Sequence, residues 1–249
     1  MFEFIPKNFV KIRQIIAFTL AEVLITLLII GVVASLVVPA LINETQKAEY
    51  VTKLKKESAV LQQAFKLLAL DAGGSILNNP NFNCSGSSYF CGTSASKNAM
   101  NAFVTKLNVV KNCGSSTGCW YTSSLRTLKG TIVYDNVETS LGSSYGKAIL
   151  ADGTMMWVQI FDENCTTNPT GGTADSPIYG SLCGDIFIDI NGEKGPNQIG
   201  RDYHEFRITK TGIYPVGIYD SFSCDINSTS YTTSYGCTAK VLQEGAMNY

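Results

Sequence analysis

The chain has 249 residues and a net charge of -1, and 45% of it is hydrophobic. That balance excludes a wholly disordered chain and supplies no global basic excess for nucleic acid. The length accommodates one globular domain and one membrane segment. The composition is sharply divided: residues 23–42 are almost wholly apolar, whereas residues 71–249 are rich in Gly, Ser, Thr, Asn and Tyr.

Residues 1–16 carry Lys7, Lys11 and Arg13 against Glu3. From Phe18 to Ile42 the one charged residue is Glu22. A helix of that length spans roughly 37 Å, enough to cross a bilayer with some tilt. Thr26, Gly31, Ser35 and Pro39 interrupt the apolar run without ending it. Pro39 removes a backbone donor and predicts a kink or local melting. A cleaved secretory signal has a shorter apolar core, of about 7–15 residues, and a buried core helix is also shorter. A carboxylate near the start of a membrane helix is costly and reads as functional. Glu22 lies one helical turn beyond Phe18. A cut between Ala17 and Phe18 would create an amino group that Glu22 of a neighbouring copy could meet, neutralising both charges and setting the register.

A short basic leader, then Ala17-Phe18-Thr19-Leu20-Ala21-Glu22, then an apolar helix with an internal Gly and Pro resembles the signature of type IV pilins and type II secretion pseudopilins. The resemblance implies cleavage before Phe18 by a prepilin peptidase and methylation of the new amine. It implies assembly through Glu22, with Gly31 and Pro39 as weak points of the helix. Ala17 stands where the family usually has Gly. The implied partners are other pilin or pseudopilin subunits, the prepilin peptidase, an inner-membrane assembly platform and membrane lipid. Nucleic acid is not expected.

Beyond the membrane segment, Val51, Leu54, Leu61, Phe65 and Leu68 fall on one helical face. The expected organisation is a leader over 1–17, an N-terminal helix over 18–72 and a head over 73–249. The helix is read as transmembrane over about 18–42 and as an amphipathic stalk over 43–72, with Gly73-Gly74 ending it. A second helix is expected at 96–109. Strands are expected at 131–137, 146–151, 154–161, 185–190, 205–210 and 212–218, with turns at Asp152-Gly153 and Thr211-Gly212. Helix first and antiparallel strands after it give an α+β domain. The resemblance implies the pilin form of it, a long helix packed on the sheet.

Cys84, Cys91, Cys113, Cys119, Cys165, Cys183, Cys224 and Cys237 all lie in the polar region. An even count there indicates disulfides and an oxidising compartment. The absence of a C-x2-C knuckle, with His204 the single histidine, argues against zinc. Sequential pairing is the simplest: 84–91, 113–119, 165–183 and 224–237. Basic residues flank the apolar run on both sides, so the cysteines decide orientation: the head lies outside the cytoplasm. The resemblance then implies the bacterial inner membrane, and afterwards a filament in the periplasm or at the cell surface.

One polar segment stands out, Asp189-Ile-Asn191-Gly192-Glu193-Lys-Gly195-Pro-Asn197-Gln-Ile-Gly-Arg-Asp202. Acidic and amide oxygens at alternating positions between glycines could wrap calcium, through Asp189, Asn191, Glu193, Asn197 and Asp202. Gly200 replaces the bidentate Glu of an EF-hand, so the segment is not one. The segment resembles a stretch seen in pilin-like proteins, and some pseudopilins hold calcium near the sheet. The same pattern also reads as a turn in which Asp and Asn cap backbone groups. His204 reads as structural, and Trp120 and Trp157 as packing residues. No catalytic triad, phosphate loop or zinc motif is present, so no enzyme is expected. The expected function is a filament subunit, a pseudopilin or minor pilin. The competing reading is a tip-located adhesin or ligand-binding subunit.

Overall fold

The computed structural model describes residues 19–84 and 91–249. The chain divides into two units, one ending at Thr45 and the other running from Gln46 to Tyr249.

Helix α1 spans Leu20–Asp71. It is long and apolar enough in its first part to cross a bilayer. There Leu20, Leu28, Leu36 and Leu41 are all exposed, and so are the residues between them on every side of the helix. The local melting expected at Pro39 does not occur, and the helix continues through it. One proline deletes one ladder hydrogen bond, and the bonds on either side persist. The helix ends in a Schellman motif. Gly74 N–H donates to Ala69 O at 2.8 Å, Gly73 N–H donates to Leu70 O at 3.1 Å, and Gly73 takes φ 76°.

In the second unit α1 becomes amphipathic. Tyr50, Val51, Leu54, Leu61, Ala64, Phe65 and Leu68 recur at three- and four-residue spacing and are buried. Each fully buried large apolar side chain contributes about 1.5–3 kcal/mol. Two 3-10 turns, Ile76–Asn78 and Pro80–Phe82, lead toward α2 (Gly92–Val104). The strands are β1 (Val109–Gly114), β2 (Leu125–Arg126), β3 (Ile132–Tyr134), β4 (Gly146–Leu150), β5 (Met155–Ile160), β6 (Leu182–Asp189), β7 (Tyr203–Thr209) and β8 (Ile213–Pro215). Short helices α3 (Val137–Leu141), α4 (Thr232–Tyr235) and α5 (Cys237–Glu244) complete the fold.

Six strands form one antiparallel sheet in the order β1-β4-β5-β6-β7-β8, and β2 pairs separately with β3. The sheet has two buried faces. Met156, Val158, Ile186, Ile188, Phe206 and Ile208 pack with α1 and α2. Met155, Trp157, Phe187 and Tyr203 point the other way, into an aromatic layer with Trp120, Tyr121 and Tyr235. Trp157 stacks on Phe187 with ring centroids 3.7 Å apart.

This is the expected α+β architecture, with several local differences. The strand expected at 131–137 is confined to Ile132–Tyr134, because Asn136 caps α3, which starts at Val137. Helix α2 begins and ends earlier than 96–109, because the β-branched Val109-Val110 pair belongs to β1, against Leu150 and its neighbours. No element is expected beyond 218, yet the C-terminal segment contains α5, whose Cys237, Ala239 and Val241 are buried. The disulfides pair sequentially: Cys84–Cys91, Cys113–Cys119, Cys165–Cys183 and Cys224–Cys237.

Candidate functional site

The first set of candidate residues lies at the start of α1. Ala17 and Phe18 fall outside the described residues. Glu22 closes a capping box with Thr19. Its Oε2 accepts the Thr19 N–H and the Thr19 hydroxyl, both at 2.8 Å, and Thr19 Oγ1 accepts the Glu22 N–H at 3.2 Å. Thr at the cap and Glu three residues on satisfy backbone donors that a helix start otherwise leaves open. Gly31 has nothing within 4 Å of where a Cβ would stand. Helix α1 carries Gly31 and Pro39 on its exposed apolar surface.

The second set lies in the loop between β6 and β7. The end of β6 buries Asp189 completely, and the start of β7 buries Asp202. Asp202 accepts the Asn197 N–H at 2.8 Å and the Gln198 N–H at 2.6 Å, one on each carboxylate oxygen. Asp189 Oδ1 accepts the Asn191 N–H at 3.2 Å. Asn197 holds φ 53°, a left-handed conformation that asparagine tolerates. Asn191 Nδ2 donates to Gly195 O and to the Tyr50 hydroxyl on α1, both at 3.1 Å. Asn197 Nδ2 donates to Ser123 Oγ at 2.8 Å.

These bonds realise the turn-capping reading, but they leave oxygens over. Asp189 Oδ2, Asn191 Oδ1 and Asn197 Oδ1 are buried without a hydrogen-bond partner. The Tyr121 hydroxyl adjoins Asp189, and hydrogen bonding between them favours the charged carboxylate. Among the described residues neither Asp189 nor Asp202 has an ion-pair partner. Burial pushes the Asp189 carboxyl well above the usual carboxylate range, and the charge of Asp202 adds to the push. Burial raises Asp202 to about 6, against the backbone N–H groups of Gln198 and Asn197. Glu193 is exposed, whereas Asp189, Asn197 and Asp202 are buried. Gly192 turns the chain outward just before Glu193, at φ 66°.

Among the described residues no three His, Cys, Asp or Glu side chains form a metal-binding group. The loop offers two carboxylates, with amide oxygens for the remainder. That donor set is wrong for zinc or copper and right for a hard cation such as calcium, which takes carboxylate and amide oxygens.

His204 is fully buried, with Nδ1 3.3 Å from Thr238 Oγ1 and Nε2 3.2 Å from Arg201 O. Burial lowers its pKa to about 4, so it is neutral and structural at ordinary pH. Trp120 and Trp157 sit in the aromatic layer.

Sequence reasoning missed three buried ionic groups. Lys147 lies 2.8 Å from Glu138, with both side chains buried. Arg207 lies 2.7 Å from Asp185, 2.6 Å from Glu205 and 3.5 Å from Asp220, under the Phe222 ring. Glu57 on α1 is buried beside Lys56 and Asp152. It also missed Tyr50, Tyr121 and Ser123 as neighbours of the β6–β7 loop. Their contacts cross long sequence separations and leave no local pattern. Comparison of the chain with family models, curated proteins and solved structures finds no match.

Proposed function

We propose that this chain is a membrane-anchored filament subunit of the type IV pilin and pseudopilin kind, assembled through its N-terminal helix. The observation that carries the reading is the start of α1: an apolar helix exposed on all sides, with Glu22 as its one charge and a leader-like basic segment before it. Such a surface is stable in lipid or against other copies of itself, and not in water. In lipid the subunit waits as a single-pass protein. In the filament the same apolar surface packs between neighbours, and Glu22 exchanges its local cap for the amine of another subunit. The disulfide-bonded head stands outside the cytoplasm, where such bonds persist.

The test is mass spectrometry of the mature N-terminus after co-expression with a prepilin peptidase. An N-methylated Phe18 is the expected result. A chain beginning at Leu41 or Asn43 would show ordinary secretion and remove the filament reading.

A further inference from the structure

We propose that the pocket enclosed by the end of α1, the two 3-10 turns and the C-terminal half of α2 binds a neutral saccharide through the side-chain amides of Asn78, Asn79, Asn81 and Asn101. The pocket has a volume of about 480 Å³, within the range of about 300–1,000 Å³ usual for small-molecule sites. These four asparagines share its wall, and Asp71 is the charged residue among the described residues that line it. Asp71 pairs with Lys106, so the wall presents amides rather than net charge.

Hydrogen bonds within the protein decide which end of each amide is engaged. Asn79 is buried, and its Oδ1 accepts the Asn81 N–H at 3.1 Å. A backbone N–H can only donate, so the Asn79 amide cannot be turned round, and Nδ2 is the end left for a ligand. Asn81 Nδ2 donates to the same oxygen at 3.1 Å, which leaves Asn81 Oδ1 as an acceptor. On α2 the orientation is set through β1. Asn112 Oδ1 accepts the Gly114 N–H at 2.9 Å, so Asn112 Nδ2 is the donor to Asn101 Oδ1, also at 2.9 Å. Asn101 therefore keeps Nδ2 as a donor. Asn78 is exposed and offers both ends of its amide.

Donors on Asn79 and Asn101, an acceptor on Asn81 and the two-ended Asn78 make a mixed array. A sugar hydroxyl both donates and accepts, so hydroxyls on neighbouring carbons can meet such an array in turn. The apolar CH face of a sugar ring matches Pro80 and Ala102, which lie between the amides on the wall. A phosphate or sulfate would call for cations facing it, and the lining residues supply none. An extended peptide would call for a strand edge, and this wall is built of helix ends and 3-10 turns. The wall is also set before any ligand arrives. Pro80 opens the second turn, and Phe82 packs edge-on against Phe103 of α2 with ring centroids 6.0 Å apart. A preformed wall lowers the ordering cost of binding.

The test applies the full chain, in a zwitterionic detergent because glycoside detergents would compete, to a printed array of neutral, sialylated and sulfated glycans. Neutral glycans should be retained. Asn79→Asp and Asn101→Asp keep the oxygen that is bonded within the protein and exchange the donor for an acceptor. Each should hold the unfolding midpoint while weakening the retained glycan about tenfold. The two lie on separate elements, so a fold disturbed by one leaves the other as the reading. Asn227→Asp, in an exposed turn outside the pocket, should bind like the parent chain. No retained glycan, a preference for sialylated or sulfated glycans, or parent-like binding by a folded Asn79→Asp or Asn101→Asp chain would overturn the site. Loss of binding in Asn227→Asp would place the ligand elsewhere and overturn it too. Retention of a printed peptide library in place of glycans would overturn the ligand class.

Discussion

Glu22 Oε2 receives two hydrogen bonds from Thr19, each 2.8 Å long, so the carboxylate is already engaged within its own chain. The proposed filament asks the same carboxylate to meet a neighbour's amine. The two roles separate by substitution. Glu22→Gln keeps an oxygen that can accept from Thr19 but removes the charge. Glu22→Ala removes both. If the charge governs assembly, both variants should insert and be processed normally, yet incorporate into filaments only at background level. Quantitative immunoblotting of sheared filaments reads this directly. Normal incorporation of the Gln variant would reduce Glu22 to a helix cap.

Glu57 and Asp152 meet where α1 lies beside the β4–β5 turn, with Lys56 Nζ 2.5 Å from Asp152 and 3.2 Å from Glu57. Burial pushes Glu57 up to about 7, and Asp152 adds to the rise while Lys56 opposes it. The ordinary value is 4.5, so the folded chain keeps a proton that the unfolded chain releases. Stability contributed by this group therefore falls as pH rises from 4.5 to about 7 and stays low above that. Asp152 has the opposite sense. Hydrogen bonding to Glu57, Lys56 and Thr154 outweighs its burial and lowers its pKa below 3.8, so its contribution is lost only in stronger acid. Glu57→Gln imitates the protonated form. It should gain on the order of 1–2 kcal/mol over the parent chain at pH 8 and little at pH 4.5. Unfolding midpoints of the two proteins across that range should diverge with rising pH, and parallel curves would sink the assignment.

Much of the fold is legible in the sequence, because its strongest signals are local. The apolar run, the Gly73-Gly74 stop and the Asp152-Gly153 turn each act within a few residues, and the strands flanking that turn appear where alternation places them. The disulfides follow neighbour pairing for the same reason. What was not legible depends on distance. Helix α5 carries too short a pattern to stand out, and it is stabilised by the bond from Cys237 to Cys224. Arg207 looks like any strand arginine until three carboxylates from separate segments surround it. In the β6–β7 loop the alternating oxygens were visible. Which of them face inward depends on Tyr50 and Ser123, and Glu193 shares the pattern without sharing the environment.

The Cys165–Cys183 bond should matter most for stability among the four. Both residues are almost fully buried, Cys183 on the interior strand β6, and the bond closes a loop of sequence separation 18. Chain-entropy arguments assign about 3 kcal/mol to a loop of this size, and about 2 kcal/mol to a loop as short as that of Cys113–Cys119. Replacing Cys165 and Cys183 together by Ala should lower the unfolding midpoint more than the same change at Cys113 and Cys119. Equal losses would show that burial and loop length do not set the ranking here.

Gly146 decides how closely α2 can lie on the sheet. A Cβ at this position would stand 2.3 Å from Ser96 O and 2.5 Å from Met100 Cβ, both on α2. The close seat allows Ser96 Oγ to accept the Ile160 N–H at 3.1 Å, satisfying a buried donor at the end of β5. Gly146→Ala must lift the helix, at a cost of about 1–3 kcal/mol. Ser96→Ala should cost about 1–3 kcal/mol for a different reason, since it strands that N–H away from water. The two losses share one cause of failure, because lifting the helix already weakens the Ser96 bond. The double variant should therefore lose less than the sum of the singles. Amide exchange at Ile160 should accelerate in both single variants. Strict additivity, or an Ile160 amide that stays protected in Gly146→Ala, would show that α2 accommodates the methyl without leaving its seat.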